Sequence, residues 1–303
     1  IPLFDFKSRI YHAGLFQLNL LDRDSIDDIS TKMNVRFRGT NLDNIDGSIR
    51  IDSLEYLEGN KLITMDHFAL LTRQDTASGK SYHLQSDYVD ADVTGDFSFK
   101  ALIPSLSTFI QNYLASFNMN DSLIDISKGQ SNQVMNFEVR CKQSDELTNV
   151  FLPFLRIAPN SSFDGSYNEE KGTLIVKGKS PALHLKNIEF TDWTLNAETR
   201  MHDLSIKTAS SHIYLKRATK KDSLEVKGDD FKVISNIRHD SILYKVSWNS
   251  VSKPSELEGF VSFRESPVIQ LKLRQFNVFF NEKYWGVDPG NFVQIDSSSV
   301  RIS

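Results

Sequence analysis

The chain has 303 residues, with 35 Lys and Arg against 39 Asp and Glu and a formal net charge of −4. That balance removes any general electrostatic argument for binding nucleic acid or an anionic membrane. A hydrophobic share of 40% with 21 Phe belongs to a folded chain, while only 14 Gly and 8 Pro exclude collagen-like and low-complexity classes. The single cysteine, Cys141, excludes a disulfide framework and a thiolate metal cage.

The chain opens Ile1-Pro2-Leu3, without an initial Met or a signal-peptide pattern, so it reads as a processed chain or a piece of a longer one. The longest aliphatic or aromatic run, Phe68 to Leu71, falls far short of the roughly 20 residues that cross a bilayer. Alternation of apolar and polar residues begins at Ile49-Arg50-Ile51 and continues through Val93, Gly95, Phe97 and Phe99. From Pro104 the period changes. Leu106, Phe109, Ile110, Tyr113, Leu114 and Phe117 form one stripe of an amphipathic helix over 104–117, with Pro104 at its start. Met135, Phe137, Val139 and Cys141 alternate again. A short helix is expected over 144–152, capped by Ser144 and stopped by Pro153.

Alternation then runs to the end, through Leu183-His184-Leu185, Ile213-Tyr214-Leu215, Leu224-Glu225-Val226 and Phe231-Lys232-Val233. Ile242, Tyr244, Val246 and Trp248 continue it, followed by Ile269, Leu271 and Leu273. A period of two with one apolar face predicts antiparallel strands, since parallel strands read as continuous apolar runs. The phase slips between Leu183/Leu185 and Ile188/Phe190, and between Trp193/Leu195 and Leu204/Ile206, predict a β-bulge or a new strand at each place. Turns are expected at Asp46-Gly47, Glu58-Gly59-Asn60, Ser78-Gly79-Lys80, Asp164-Gly165, Lys171-Gly172, Lys227 to Asp230 and Asp288 to Asn291. The predicted fold is all-β and mainly antiparallel, an elongated curled sheet with an apolar interior and one or two short amphipathic helices. It divides into a first β-groove segment, 1–117, that ends in the helix, and a second, 118–303. A weak Asp-Gly-Ser repeat at Asp46 and Asp164 agrees with that division.

No catalytic template is present: no G-x-S-x-G, H-E-x-x-H, C-x-x-C or G-x-G-x-x-G. Gly178-Lys179-Ser180 lacks the spacing and the following helix of a phosphate loop. The seven His are scattered and read as surface residues on polar strand faces, not metal ligands. Asp87, Asp90, Asp92 and Asp96 read as a solvated strand face in preference to a calcium loop. Asn160-Ser161-Ser162 fits the glycosylation pattern, which is short enough to arise by chance. The expectation is a non-enzyme without cofactor or metal. The apolar face suggests a groove incompletely covered by protein, in which each buried acyl methylene is worth about 0.8 kcal/mol.

Three stretches, in order and spacing, resemble the TamB family of the AsmA-like superfamily in its Bacteroidetes-type form. They are Asn41-Leu42-Asp43-Asn44-Ile45-Asp46-Gly47 running on to Tyr56, Leu84 to Phe97 leading into the helix, and Trp285-Gly286-Val287-Asp288-Pro289-Gly290-Asn291-Phe292 followed by Val300-Arg301-Ile302. The resemblance implies a β-taco, a U-shaped antiparallel sheet in the periplasm that carries phospholipid between inner and outer membranes and takes part in outer-membrane protein assembly. It also implies a BamA-like barrel partner and an inner-membrane anchor outside this segment, with no catalytic residues.

The inward set expected to contact acyl chains is Ile49, Ile51, Val93, Phe97, Phe99, Leu183, Leu185, Leu195, Ile213, Leu215, Leu224, Val226, Ile269, Leu271 and Leu273. The alternative is a non-catalytic scaffold or adhesin-like β module with a closed core that binds proteins through its sheet edges.

Overall fold

A computed structural model describes residues 2–14, 27–59, 61–75, 79–116, 132–143, 148, 152, 154–201, 203–218, 223–265, 268–280, 282–288, 290–296 and 299–302. Alternation becomes strand wherever it is unbroken. β1 (Leu3–Ala13) and β2 (Asp27–Arg38) pair with Phe4 opposite Phe37 and Phe6 opposite Val35, so the polar residues Asp5, Lys7, Arg36 and Asn34 share the other face. β3 (Asp46–Glu58) follows. Its second half pairs with β4 (Lys61–Met65) and its first half with β5 (Phe68–Asp75). The meander continues through β6 (Gly79–Ser86), β7 (Val89–Asp96) and, after the helix α1 (Phe99–Gln111), β8 (Val134–Cys141).

After β9 (Leu155–Ile157) and β10 (Ser162–Asn168) comes a second meander. Its strands are β11 (Thr173–Leu185), β12 (Ile188–Arg200), β13 (Asp203–Ala218), β14 (Ser223–Arg238), β15 (Ser241–Ser250), β16 (Lys253–Glu265) and β17 (Val268–Phe280). β17 pairs along one half with β18 (Lys283–Gly286) and along the other with β19 (Phe292–Ile295), which pairs with β20 (Val300–Ile302). Each of these registers is antiparallel. Among the described residues no pairing joins β1 to β8 or β11 to β20. The architecture is therefore all-β, antiparallel and open, with a short helix.

The chain forms two compact units, residues 1–99 with 134–164 and residues 100–133 with 165–303. The expected division at 117/118 differs for two physical reasons. β8 hydrogen-bonds to β7, with Val93 opposite Phe137, and so belongs to the first unit. The stripe of α1 packs on Tyr167 and Leu204, and so belongs to the second.

α1 begins five residues before Pro104, which lies inside it. Its start is set by Asp43, whose carboxylate accepts hydrogen bonds from the Ser98 hydroxyl at 2.8 Å and the Phe99 N–H at 2.6 Å. Pro104 forfeits one backbone bond, which stripe packing outweighs. Phe117 lies outside the described residues, as does most of the helix expected over 144–152. There Thr148 is helical and its carbonyl accepts from the Leu152 N–H at 2.8 Å.

Both expected phase slips prove to be new strands. Leu185 pairs with Ile188 across a two-residue turn, and Arg200 pairs with Asp203. The slips inside strands lie elsewhere, where Asp192 and Asp230 take φ of 50° and 51° in mid-strand and the Ser180 and Ser210 hydroxyls donate to carbonyls two residues on, each at 2.6 Å. These bulges let Leu183 follow Ser180 on the apolar face.

The turn expectations divide the same way. Those at Gly59, Gly172 and Asp288 to Asn291 are turns, but Gly47, Gly79, Gly165 and Gly228 lie within strands, and Ser78 lies outside the described residues. The missed hairpins use non-glycine pairs with both φ positive, His239-Asp240 and Val251-Ser252.

Candidate functional site

Residues opposite one another in an antiparallel ladder project from the same face, so register traces each apolar face across its unit. In the first unit Val35 faces Ile49, Ile49 faces Leu70 and Leu70 faces Leu84. A neighbouring row runs from Thr72 through Tyr82 and Val93 to Phe137.

Two aromatic clusters close this face at different levels. Phe97, Tyr82 and Ile45 are buried with Phe37, Ile49, Val93, Phe99 and Met135 packed against them. Tyr56, Ile63 and Tyr88 form the other, and the Tyr88 hydroxyl donates to the Thr64 carbonyl. Phe97 and Phe99 stand just beyond β7, which ends at Asp96, with ring centroids 5.1 Å apart at 89°. The Tyr82 hydroxyl donates to the Leu42 carbonyl at 2.6 Å, which fastens the loop carrying Asn41 to Ile45 over this end. Burial pushes the Tyr82 phenol above its ordinary pKa, so it stays a neutral donor.

In the second unit the face is longer. Val176 faces Ala197, Ala197 faces Ile206, and Ile206 faces Ser235, which faces Tyr244. One rung along, Leu195, Thr208, Val233, Val246, Leu257 and Phe276 form an unbroken row across six strands. Beyond the bulges Leu183 faces Phe190 and Leu185 faces Ile188, which continues to Leu215 and Val226. Phe190 faces Ile213 and Ile213 faces Gly228. Leu271 faces Val261 and Val293, and Ile269 faces Ile295, so the face reaches β19.

Two glycines form its floor. A Cβ on Gly228 would sit 3.0 Å from the Trp248 ring and 3.1 Å from Ile213, and one on Gly259 would sit 2.7 Å from the Tyr244 hydroxyl. Lacking side chains, they let both aromatic rings lie across the neighbouring strand.

α1 seals one end of this face. Phe109 is buried with Tyr167 and Leu204, and Leu102, Leu106, Ile110 and Tyr113 pack there with Leu174, Ile206 and Ile237. The Ser105 and Tyr167 hydroxyls share a buried hydrogen bond at 2.7 Å. Away from α1 the face is covered less evenly among the described residues, with Leu183 buried and its neighbours more exposed. Leu185 is 40% exposed and Ile295 39%, while Ile213, Leu215 and Val226 are half-buried.

No family model, curated protein or solved structure matches this chain. What the site can do therefore rests on its geometry.

Of the expected inward residues, Ile49, Ile51, Val93, Phe97 and Phe99 come together in the first unit. Leu183, Leu185, Leu195, Ile213, Leu215, Val226, Ile269, Leu271 and Leu273 share the face of the second. Phe97 and Leu183 are buried at 3% and 8% exposure. Leu224 pairs with Arg217 in the backbone register, and its side chain lies outside the described residues. The face also holds residues not singled out from sequence, chiefly Val35, Phe37, Leu257 and Phe276. The first two belong to an alternating run, Ile29 to Phe37, as regular as any other in the chain. The last two hide behind the register shift at Glu258/Gly259.

The opposite face carries most of the charged residues, and many of them are paired. Four of the scattered His meet carboxylates across strands: His12 with Asp28, His83 with Asp92, His212 with Asp229 and His184 with Glu189. Asp90 pairs with Lys142 at 2.7 Å, and Asp87 accepts the Asp66 and His67 N–H groups at 2.6 and 2.8 Å. No group of three or more metal-ligating side chains occurs among the described residues. Cys141 is buried, and desolvation raises its thiol pKa. No helix among the described residues is long and apolar enough to cross a membrane.

Proposed function

We propose that the apolar faces hold phospholipid acyl chains, and that the chain is a segment of a TamB-like periplasmic bridge moving phospholipid between inner and outer membranes. The supporting observation is the second unit's register-continuous apolar face, which α1 covers at one end and which is half-exposed at Ile213, Leu215 and Val226 among the described residues. Acyl chains would lie along the rows through Leu215 and Leu195, and each methylene removed from water contributes about 0.8 kcal/mol. Headgroups stay at the solvated margin. A BamA-like outer-membrane partner and an inner-membrane anchor outside this segment complete the reading.

Photo-crosslinking tests it. A crosslinker at Leu215 is expected to capture phospholipid, while one at Lys216 or Glu225, which pair with each other on the opposite face, captures little. Equal labelling from both faces sinks the proposal. A protein-binding module predicts no co-purifying lipid at all, which mass spectrometry of an organic extract decides.

A further inference from the structure

On three adjacent strands of the second unit, β14, β15 and β16, the polar face breaks the alternation. Ile234 follows Val233, Leu243 follows Ile242 and Phe260 precedes Val261, and each adds an apolar side chain to the face opposite the groove. Register sets them on a diagonal across β14, β15 and β16: Ile234 faces Lys245, Asn236 faces Leu243, and Leu243 faces Phe260. Ile234 and Leu243 are 41% and 38% exposed.

Cations surround this strip. Lys207 faces Ile234 from β13, Lys232 lies one rung along β14, and Lys272 faces Phe260. The Arg274 guanidinium sits 5.6 Å from the centre of the Phe260 ring. Lys245 is held by Glu256 at 2.5 Å, but Lys207, Lys232, Lys272 and Arg274 form no ion pair among the described residues. Glu256 and Glu258 are the carboxylates bordering Lys245.

We infer that this patch docks the chain on the surface of an anionic phospholipid bilayer. A nucleic acid would use the cations but leave Ile234 and Leu243 unsatisfied, and a neutral protein surface would use the reverse. The interface of an anionic bilayer takes both, apolar side chains at the acyl boundary and ammonium groups among phosphates. The chain's overall charge of −4 offers no long-range attraction, so the contact is local and screened by salt. It uses the face opposite the groove and does not depend on the groove being occupied.

Flotation with phosphatidylcholine vesicles, with and without phosphatidylglycerol, tests this. The protein is expected to float with the anionic vesicles at low salt and to be released at high salt. Each lysine near such a surface adds about fivefold to the partition, so Lys207→Gln with Lys232→Gln should weaken binding about thirtyfold. Ile234→Ser with Leu243→Ser should weaken it as well. Unchanged binding in the lysine variant, equal flotation with phosphatidylcholine alone, or no flotation with either overturns the inference. Circular dichroism checks that the exposed substitutions leave the fold intact. Co-purifying lipid is measured separately and decides the groove reading alone: its absence with anionic flotation intact removes the groove and keeps the docking face.

Discussion

Replacing Phe109 by Ala tests whether α1 is a seal or an ornament. The ring is 3% exposed between Tyr113 at 5.3 Å and Tyr167 at 5.7 Å, with Leu204 beneath it. Deletion forfeits the transfer energy of the ring and leaves a cavity that neighbouring strands cannot collapse to fill, a loss of about 3–5 kcal/mol. The two edge-to-face contacts place it in the upper part of that range. Urea denaturation of the whole chain reads the global share, and amide exchange of residues 102–114 reads local detachment. A seal predicts lost protection in α1 together with newly exposed Leu174, Leu204 and Ile206, registered as greater binding of an apolar dye. A loss below about 1 kcal/mol with unchanged exchange would refute the packing argument.

Gly259→Ala should cost about 1–3 kcal/mol, because the new Cβ would lie 2.4 Å from the Lys272 carbonyl oxygen, a backbone atom that cannot turn aside. Thermal unfolding measures it, and an unchanged midpoint contradicts the close approach. Val251→Asn should stabilise by roughly 1 kcal/mol, since Val251 holds φ of 49° while 85% exposed and a β-branched residue tolerates that region poorly. A lower urea midpoint would rule out the turn as drawn. Asp28 is held below its ordinary pKa of 3.8, first by the hydrogen bond from His12 and further by the Ala13 N–H. A depressed folded value means stabilisation present above the unfolded pKa and lost as pH falls through the folded one. The stability gap between wild type and Asp28→Asn should therefore close in acid, and a gap that stays constant below that range would exclude the linkage.

Strand content and the apolar face were legible from local pattern, because side-chain direction in a strand depends only on parity. Ile213 and Leu215, or Ile269 and Leu271, needed nothing beyond their neighbours. Glycine was a poorer guide. Gly47 and Gly228 look like turns in sequence, yet each lies in a strand where a neighbour crosses close to its backbone: Phe37 over the first, Trp248 over the second. Conversely, Val251-Ser252 and His239-Asp240 turn without glycine, because the strands they join pair well enough to impose the left-handed backbone.

Local residue pattern is enough to show that the chain is antiparallel β with one greasy face, that an amphipathic stripe follows Phe99, and that no thiol framework is available. Tertiary structure alone decided which rows join into a continuous face, since register depends on partners tens of residues away. It also decided where α1 starts, because its cap is Asp43, more than fifty residues earlier in the chain. Last, it decided that Lys207 and Lys232, without an ion pair among the described residues, gather around Ile234. Net charge sums over the whole molecule, whereas a surface is felt only over about a Debye length.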